Sequence, residues 1–207
     1  MTTKFIENTD RALIGIDKFH YAKLEKDTPA ELTYGDMVEF QNTIELSVTT
    51  NAEVASLYAD NKPAIVYTTM GNIELAMTKT VIPNEVLAEW LGSPMEGGVR
   101  HITSAQNSPY YGVAWRQLYS DGKYAYVKLY KGKFTEPDKT ATTKEESIEF
   151  QTAEITAQFA ATTHEVKGEV DGKERSFPLL MSIAEEDSPS YTDEGSTWFD
   201  AMYVKKP

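Results

Sequence analysis

The sequence predicts a mainly β protein, sandwich-like or barrel-like, with one short helix. Three observations carry the prediction. Apolar residues alternate at Ile44, Leu46 and Val48 and again at Ile73, Leu75 and Met77, the period of a strand with one buried face. Two Asp-Gly pairs, Asp121-Gly122 and Asp171-Gly172, each divide a pair of strand-forming runs and read as tight two-residue hairpin turns. Helical spacing of apolar residues occurs in one place, around residues 84–91.

Residues 1–12 are polar apart from Phe5-Ile6 and have little to bury alone, so they predict an arm ordered by contact. Leu13 to Lys26 reads as a strand with Phe19, Tyr21, Ala22 and Leu24 inward, broken at Asp27 to Ala30. Leu32 to Phe40 and Thr43 to Thr49 predict two further strands. Residues 50–70 include Leu57, Tyr58, Ile65, Val66 and Tyr67 but are interrupted by Asp60-Asn61 and Pro63, which predicts a long loop or a protruding hairpin. Gly71 to Val81 resumes a strand. In the helix, Asn84 is the expected cap, Val86, Leu87, Trp90 and Leu91 share a face, and Gly92 is the stop. So short a helix needs a sheet to pack on. Ser93 to Pro109, with its prolines and Gly97-Gly98, predicts a loop.

The central hairpin joins Gly112–Tyr119 to Lys123–Phe134. On its second strand Tyr124, Tyr126 and Tyr130 share one face and Ala125, Val127 and Leu129 the other, so both faces carry apolar bulk. Such a strand lies in a two-sided core or is covered by a neighbouring subunit. An aromatic platform for sugars is a third reading, although lysines interrupt the face. After a polar connection, residues 138–146, the strand Ser147 to Phe159 changes parity between Ile148/Phe150 and Ile155/Ala157/Phe159, which a bulge near Thr152-Ala153 explains. The tail predicts a hairpin, Val166–Val170 with Lys173–Phe177, then an acidic stretch from Glu185. The apolar patch from Trp198-Phe199 to Val204 reads as a docking strand or an interaction surface. One domain accommodates all of this.

The chain has 32 acidic and 20 basic residues, a formal net charge of −12, which argues against a surface built to neutralise phosphates. The absence of an apolar amino-terminal stretch and of any long apolar run predicts synthesis as a soluble cytoplasmic protein, with no membrane partner. Without cysteine there are no disulfides, thiolate metal sites or cysteine nucleophiles. His20, His101 and His164 have no metal-type spacing, and no cofactor motif or nucleophile motif occurs. The carboxylate groups Glu145-Glu146, Glu185-Glu186-Asp187 and Asp193-Glu194 read as solvated loop surface. The expectation is a protein that is not an enzyme, with no catalytic, cofactor or metal residues.

The stretch DGKYAYVKLYKGKFTEP (residues 121–137), followed by SIEFQTAEITAQF (147–159), resembles the major tail proteins of long-tailed, non-contractile phages of Gram-positive bacteria. IGIDKFHYAKLEKD, LYADN and VLAEWLG extend the resemblance over roughly residues 13–160, and beyond about Ala161 it carries no residue-by-residue match. It implies two packed antiparallel sheets flanked by a helix, and copies that form rings, generally of six, stacked into a tube through which the genome passes. It further implies that residues 50–70 contact the adjacent ring and that the amino-terminal arm helps lock subunits together. Phe5, Ile6, Leu57, Tyr58, Ile65, Tyr124 and Tyr126 are the expected subunit-interface residues. The implied partners are other copies of the chain and the tape-measure, tail-terminator and distal tail proteins, with DNA passing through the lumen unbound and the virion tail as the location. Residues 162–207 are an extension of the core domain. A monomeric surface- or carbohydrate-binding β module is the alternative, and a hydrolase on a β scaffold a more distant one.

Overall fold

The computed structural model describes residues 11–59, 62–138, 152–170 and 172–204, and within 53–59 and 62–68 the backbone course alone. Its strands are β1 (Leu13–Thr28), β2 (Glu31–Tyr34), β3 (Val38–Glu39), β4 (Thr43–Ala59) and β5 (Lys62–Lys79). Helix α1 (Asn84–Leu91) follows, then β6 (Met95–Glu96), β7 (Val99–Arg100), β8 (Tyr111–Tyr119), β9 (Tyr124–Phe134), β10 (Ala153–Ala160), β11 (Glu165–Val170), β12 (Lys173–Pro178) and β13 (Met181–Glu185). The fold is mainly β with antiparallel pairing and, among the described residues, a single α-helix, as the sequence predicts.

Nine strands form one hydrogen-bonded sheet in the order β2-β1-β8-β9-β10-β5-β4, with β3 paired to β1 and β13 to β9. The sheet folds over so that its two halves share one core, which is how a continuous sheet becomes sandwich-like. Phe19 and Tyr21 of β1, Val113 and Trp115 of β8 and Val127 and Leu129 of β9 meet Ile73, Leu75 and Met77 of β5 and Ile155, Ala157 and Phe159 of β10. Two irregularities aim this core. β1 shifts register between Asp17 and His20, where Lys18 has φ 51°. β9 shifts between Leu129 and Gly132, a bulge that turns Phe134 to the same side as Leu129.

Helix α1 closes the core. Trp90 is fully buried, stacked on Phe134 at 4.1 Å and edge-on to Tyr21 and Phe40. Pro83, not Asn84, is the cap: its carbonyl accepts from Leu87 N at 3.1 Å, and Asn84 is already helical, so its side chain cannot reach back to the first turn. Gly92 ends the helix at φ 65°, as expected.

Other expectations are corrected. Ile44 is exposed, because the β4–β5 register shifts between Thr43 and Glu45 and takes it out of phase with Leu46 and Val48. The expected strand Leu32–Phe40 divides into β2 and β3, both on the free edge of β1. Ala22 is buried on the opposite face from Phe19 and Tyr21. Between β8 and β9 the turn has three residues, Ser120 to Gly122, closed by Tyr119 N to Lys123 O at 3.0 Å with Gly122 at φ 83°. The loop Ser93–Pro109 holds a small hairpin, β6–β7, turned by Gly97 and Gly98 at positive φ. Residues 139–151, including Glu145-Glu146, Ile148 and Phe150, lie outside the described residues, as do Asp171 and residues 1–10.

The carboxyl-terminal segment is not a strand. After β13 it makes a 3-10 turn at Glu194–Ser196 and lies across the outer face of the sheet. There Met202, 1% exposed, packs with Ala22, Ala114 and Tyr130, and Leu179, Trp198, Phe199 and Tyr203 border the cluster.

Candidate assembly surface

Of residues 50–70, those described, 50–59 and 62–70, pair as a protruding hairpin, the second of the two forms the sequence predicts. Strand β5 is held by β10 from Ile73 to Lys79, but from Ala52↔Met70 to Ala59↔Lys62 strands β4 and β5 pair only with each other among the described residues. Eight residues at about 3.3 Å each give a projection of about 26 Å. At its root Gly71 lies so close to Asn51 that a Cβ there would sit 2.6 Å from the Asn51 carbonyl oxygen. Glycine is therefore required where the ribbon leaves the sheet. Both long edges of the ribbon present backbone N–H and C=O groups to whatever adjoins them.

Of the expected interface residues, Leu57, Tyr58 and Ile65 lie on this ribbon, with Leu57 opposite Ile65 and Tyr58 opposite Pro63. Phe5 and Ile6 lie outside the described residues. Tyr124 and Tyr126 are elsewhere, on β9 in the body of the sheet. Tyr126 is 6% exposed, its hydroxyl donates to Glu186 Oε1 at 2.9 Å, and its ring leans on Trp198 and Phe199. Tyr124 is half-buried beneath the Arg116 guanidinium, 4.1 Å from its ring centroid. Strand β9 is thus buried on both faces by its own chain, and Tyr126 and Tyr130 have no open ring face for a sugar platform.

Several polar residues read as solvated are structural. Glu186 also accepts from Tyr124 N at 2.8 Å, while Asp187 and Glu185 bind Arg11 at 2.6 and 3.0 Å, tying the residues just before β1 to the end of β13. Asp27 is a hub: it accepts from Lys131 Nζ at 2.6 Å and from the backbone N–H groups of Thr163 and His164 at 2.9 Å. Burial alone would push this carboxyl up, but Lys131 and the two N–H groups outweigh it and hold it below the usual carboxylate range. These groups are tens of residues apart in sequence, and no local pattern announces them.

Two lysines are buried with hydrogen bonds to neutral oxygens, and Lys128 also lies within electrostatic reach of Asp200. Lys79 Nζ donates to Phe40 O at 2.9 Å and Thr43 Oγ1 at 3.2 Å and lies 3.3 Å from the centre of the Phe40 ring. Lys128 Nζ donates to Ala201 O at 2.8 Å beside Trp198. Burial lowers both to about 8. Lys79 sits where β4, β5 and the β3–β4 connection meet, and Lys128 fastens the carboxyl-terminal segment.

A cleft of about 290 Å³ opens between β1 and the β3–β4 connection, walled by Ile16, Phe19, Phe40, Leu46 and Trp115. Two carboxylates line it, Asp17, which accepts from Arg116 at 2.5 and 2.7 Å, and the exposed Glu39. Among the described residues no group of three or more His, Asp or Glu is arranged for a metal ion, and no helix is long and apolar enough to cross a membrane.

Fold and surface together define an antiparallel β protein with open strand edges and a long projecting ribbon. No protein-family model and no curated protein matches the chain.

Proposed function

We propose that this chain is a structural virion protein, the major tail protein of a long-tailed, non-contractile phage. Its copies join into rings, generally of six, and the rings stack into the tube that delivers the genome. The observation that carries the reading is the β4–β5 ribbon, which projects about 26 Å from its sheet with both edges unpaired among the described residues. An isolated two-stranded ribbon is marginally stable in water, so a projection of this length is favoured when a neighbour pairs with or covers it. Open edges are a hazard for a monomer and an asset for a protein that closes into rings. The sequence resemblance points the same way, since the described part of LYADN, Leu57 to Ala59, falls on the ribbon and VLAEWLG on α1 and its Gly92 end.

In the tail the chain meets further copies of itself, with the tape-measure protein inside and the terminator and distal tail proteins at the ends. A lumen sharing the chain's negative sign repels phosphates and lets DNA pass without sticking. The test is negative-stain electron microscopy of purified protein over a concentration series, alone and with its tail-initiating proteins. Rings or tubes with a central channel are expected. A uniformly monomeric species under both conditions would overturn the reading and favour a binding module.

A further inference from the structure

The β4–β5 ribbon joins the sheet at one irregular point. From Thr50↔Ile73 to Ala52↔Met70 the first strand advances two residues and the second three, so Gly71 and Asn72 together oppose Asn51. An unmatched residue of this kind interrupts the ladder and bends the strand that carries it. Support from the rest of the sheet stops at the same place. Ile73, opposite Phe159, is where the pairing of β5 with β10 ends, and it is fully buried in the core beside Leu75. Beyond it Asn51, Ala52, Met70, Gly71 and Asn72 are all exposed, Met70 at 63%, so no core side chain clamps the ribbon at its root. The two backbones meet directly there, since a Cβ on Gly71 would lie 2.6 Å from the Asn51 carbonyl oxygen.

The ladder is regular on both sides of this point, from Glu45↔Thr78 to Thr50↔Ile73 within the sheet and from Ala52↔Met70 to Leu57↔Ile65 along the ribbon. On the sheet side it is also locked by packing, because Leu46, Val48, Leu75 and Met77 belong to the core. Two regular segments joined through one unmatched residue, with no third strand and no packed side chain across the junction, concentrate any change of angle at that junction. We propose that Asn51 and Gly71-Asn72 form a hinge about which the ribbon swings as one paired unit relative to the sheet. A neighbour that grips the ribbon along its length then changes its angle to the body while every β4–β5 pair stays formed. The inference goes beyond the assembly reading and does not rest on it, since the swing belongs to the single chain.

The chain has no cysteine, so spin labels attach only where cysteines are placed. Three label pairs are compared by electron paramagnetic resonance in frozen solution, diluted with unlabelled protein so that only distances within one chain are read. Q158C/K123C joins two exposed positions of the body, Q158C/A59C runs from the body to the far end of the ribbon, and S56C/V66C spans directly opposed residues of the ribbon. The body-to-ribbon distance distribution is expected to be about twice as wide as that within the body, with the pair across the ribbon still strongly coupled. Deleting Gly71 leaves Asn72 alone opposite Asn51 and makes the ladder regular, and it is expected to narrow the body-to-ribbon distribution to the width of the body pair. A body-to-ribbon distribution as narrow as the body pair in the unmodified backbone, or one that stays wide after the deletion, would overturn the hinge. Weak coupling across the ribbon would mean that its strands separate instead of swinging together, and would overturn it as well.

Discussion

Asp27→Asn removes one charge from the point where the β1–β2 turn grips the start of the carboxyl-terminal extension. The wild-type carboxylate is 6% exposed and accepts three hydrogen bonds, from Lys131 Nζ and the N–H groups of Thr163 and His164. Bonds to a charged acceptor are worth about 1.5–3 kcal/mol each, and breaking a fully buried ion pair costs about 3–5 kcal/mol. Two features reduce the cost here: asparagine keeps one acceptor oxygen, and Lys131, 18% exposed, can turn toward water. A loss of about 2–3 kcal/mol at pH 7 is expected. With a urea m-value of about 2–3 kcal/mol/M, the midpoint falls by about 1 M. The pH dependence provides the sharper test. The folded carboxyl lies below its unfolded value of about 3.9, so its contribution is full above that value and is lost as pH falls through the folded one. The gap between wild type and variant therefore narrows from about pH 4 downward. Urea unfolding followed by tryptophan fluorescence at pH 7 and pH 3 reads both quantities. A midpoint shift below about 0.2 M at pH 7, or a gap that widens in acid, would refute the reasoning.

Trp90→Ala empties the junction of α1 with Phe134, Tyr21 and Phe40 and is expected to cost about 3–5 kcal/mol, seen as a lowered thermal midpoint with loss of the helix signal. Gly132→Ala places a Cβ 2.5 Å from the fully buried Phe159 ring, and overpacking of about 1–3 kcal/mol is expected in urea titration; a neutral result would mean that the ring moves freely. Lys79 and Lys128 both have folded values of about 8, below the unfolded value of about 10.4, so the unfolded chain binds more protons between these limits and stability rises with pH across that window. K79M/K128M is expected to flatten that rise in unfolding titrations from pH 7 to pH 10. Replacing residues 54–68 of the ribbon with a two-residue turn leaves the paired base, Thr43–Glu53 with Thr69–Lys79, and is expected to preserve the fold by circular dichroism while blocking stacking of rings in electron micrographs.

The period-two and period-3.6 patterns determined that β1, β4, the second half of β5, β8, β9 and β10 are strands and that α1 is the helix, whereas the short β6, β7 and β13 carry too few residues to show a period. They also placed Ile73, Leu75, Met77, Ile155, Ala157 and Phe159 inside and put Gly92 at the helix end, because each follows from the local backbone period or from one residue's own φ preference. The aromatic run of β9 announced burial on both faces. What covers the outer face was a tertiary matter: the segment around Trp198, Phe199 and Met202 reaches it from about seventy residues away, and irregular chain has no period to read. Register was likewise decided by the sheet. One bulge near Ile44 exposes a residue whose alternation pointed inward, and another turns Phe134 into the core, since a single inserted residue inverts every side chain beyond it. The acidic residues show the same division. Sequence proximity made Glu185, Glu186 and Asp187 a solvated cluster, whereas the fold brings Arg11 and Tyr126 to them, because charge pairing depends on distance through space and not along the chain.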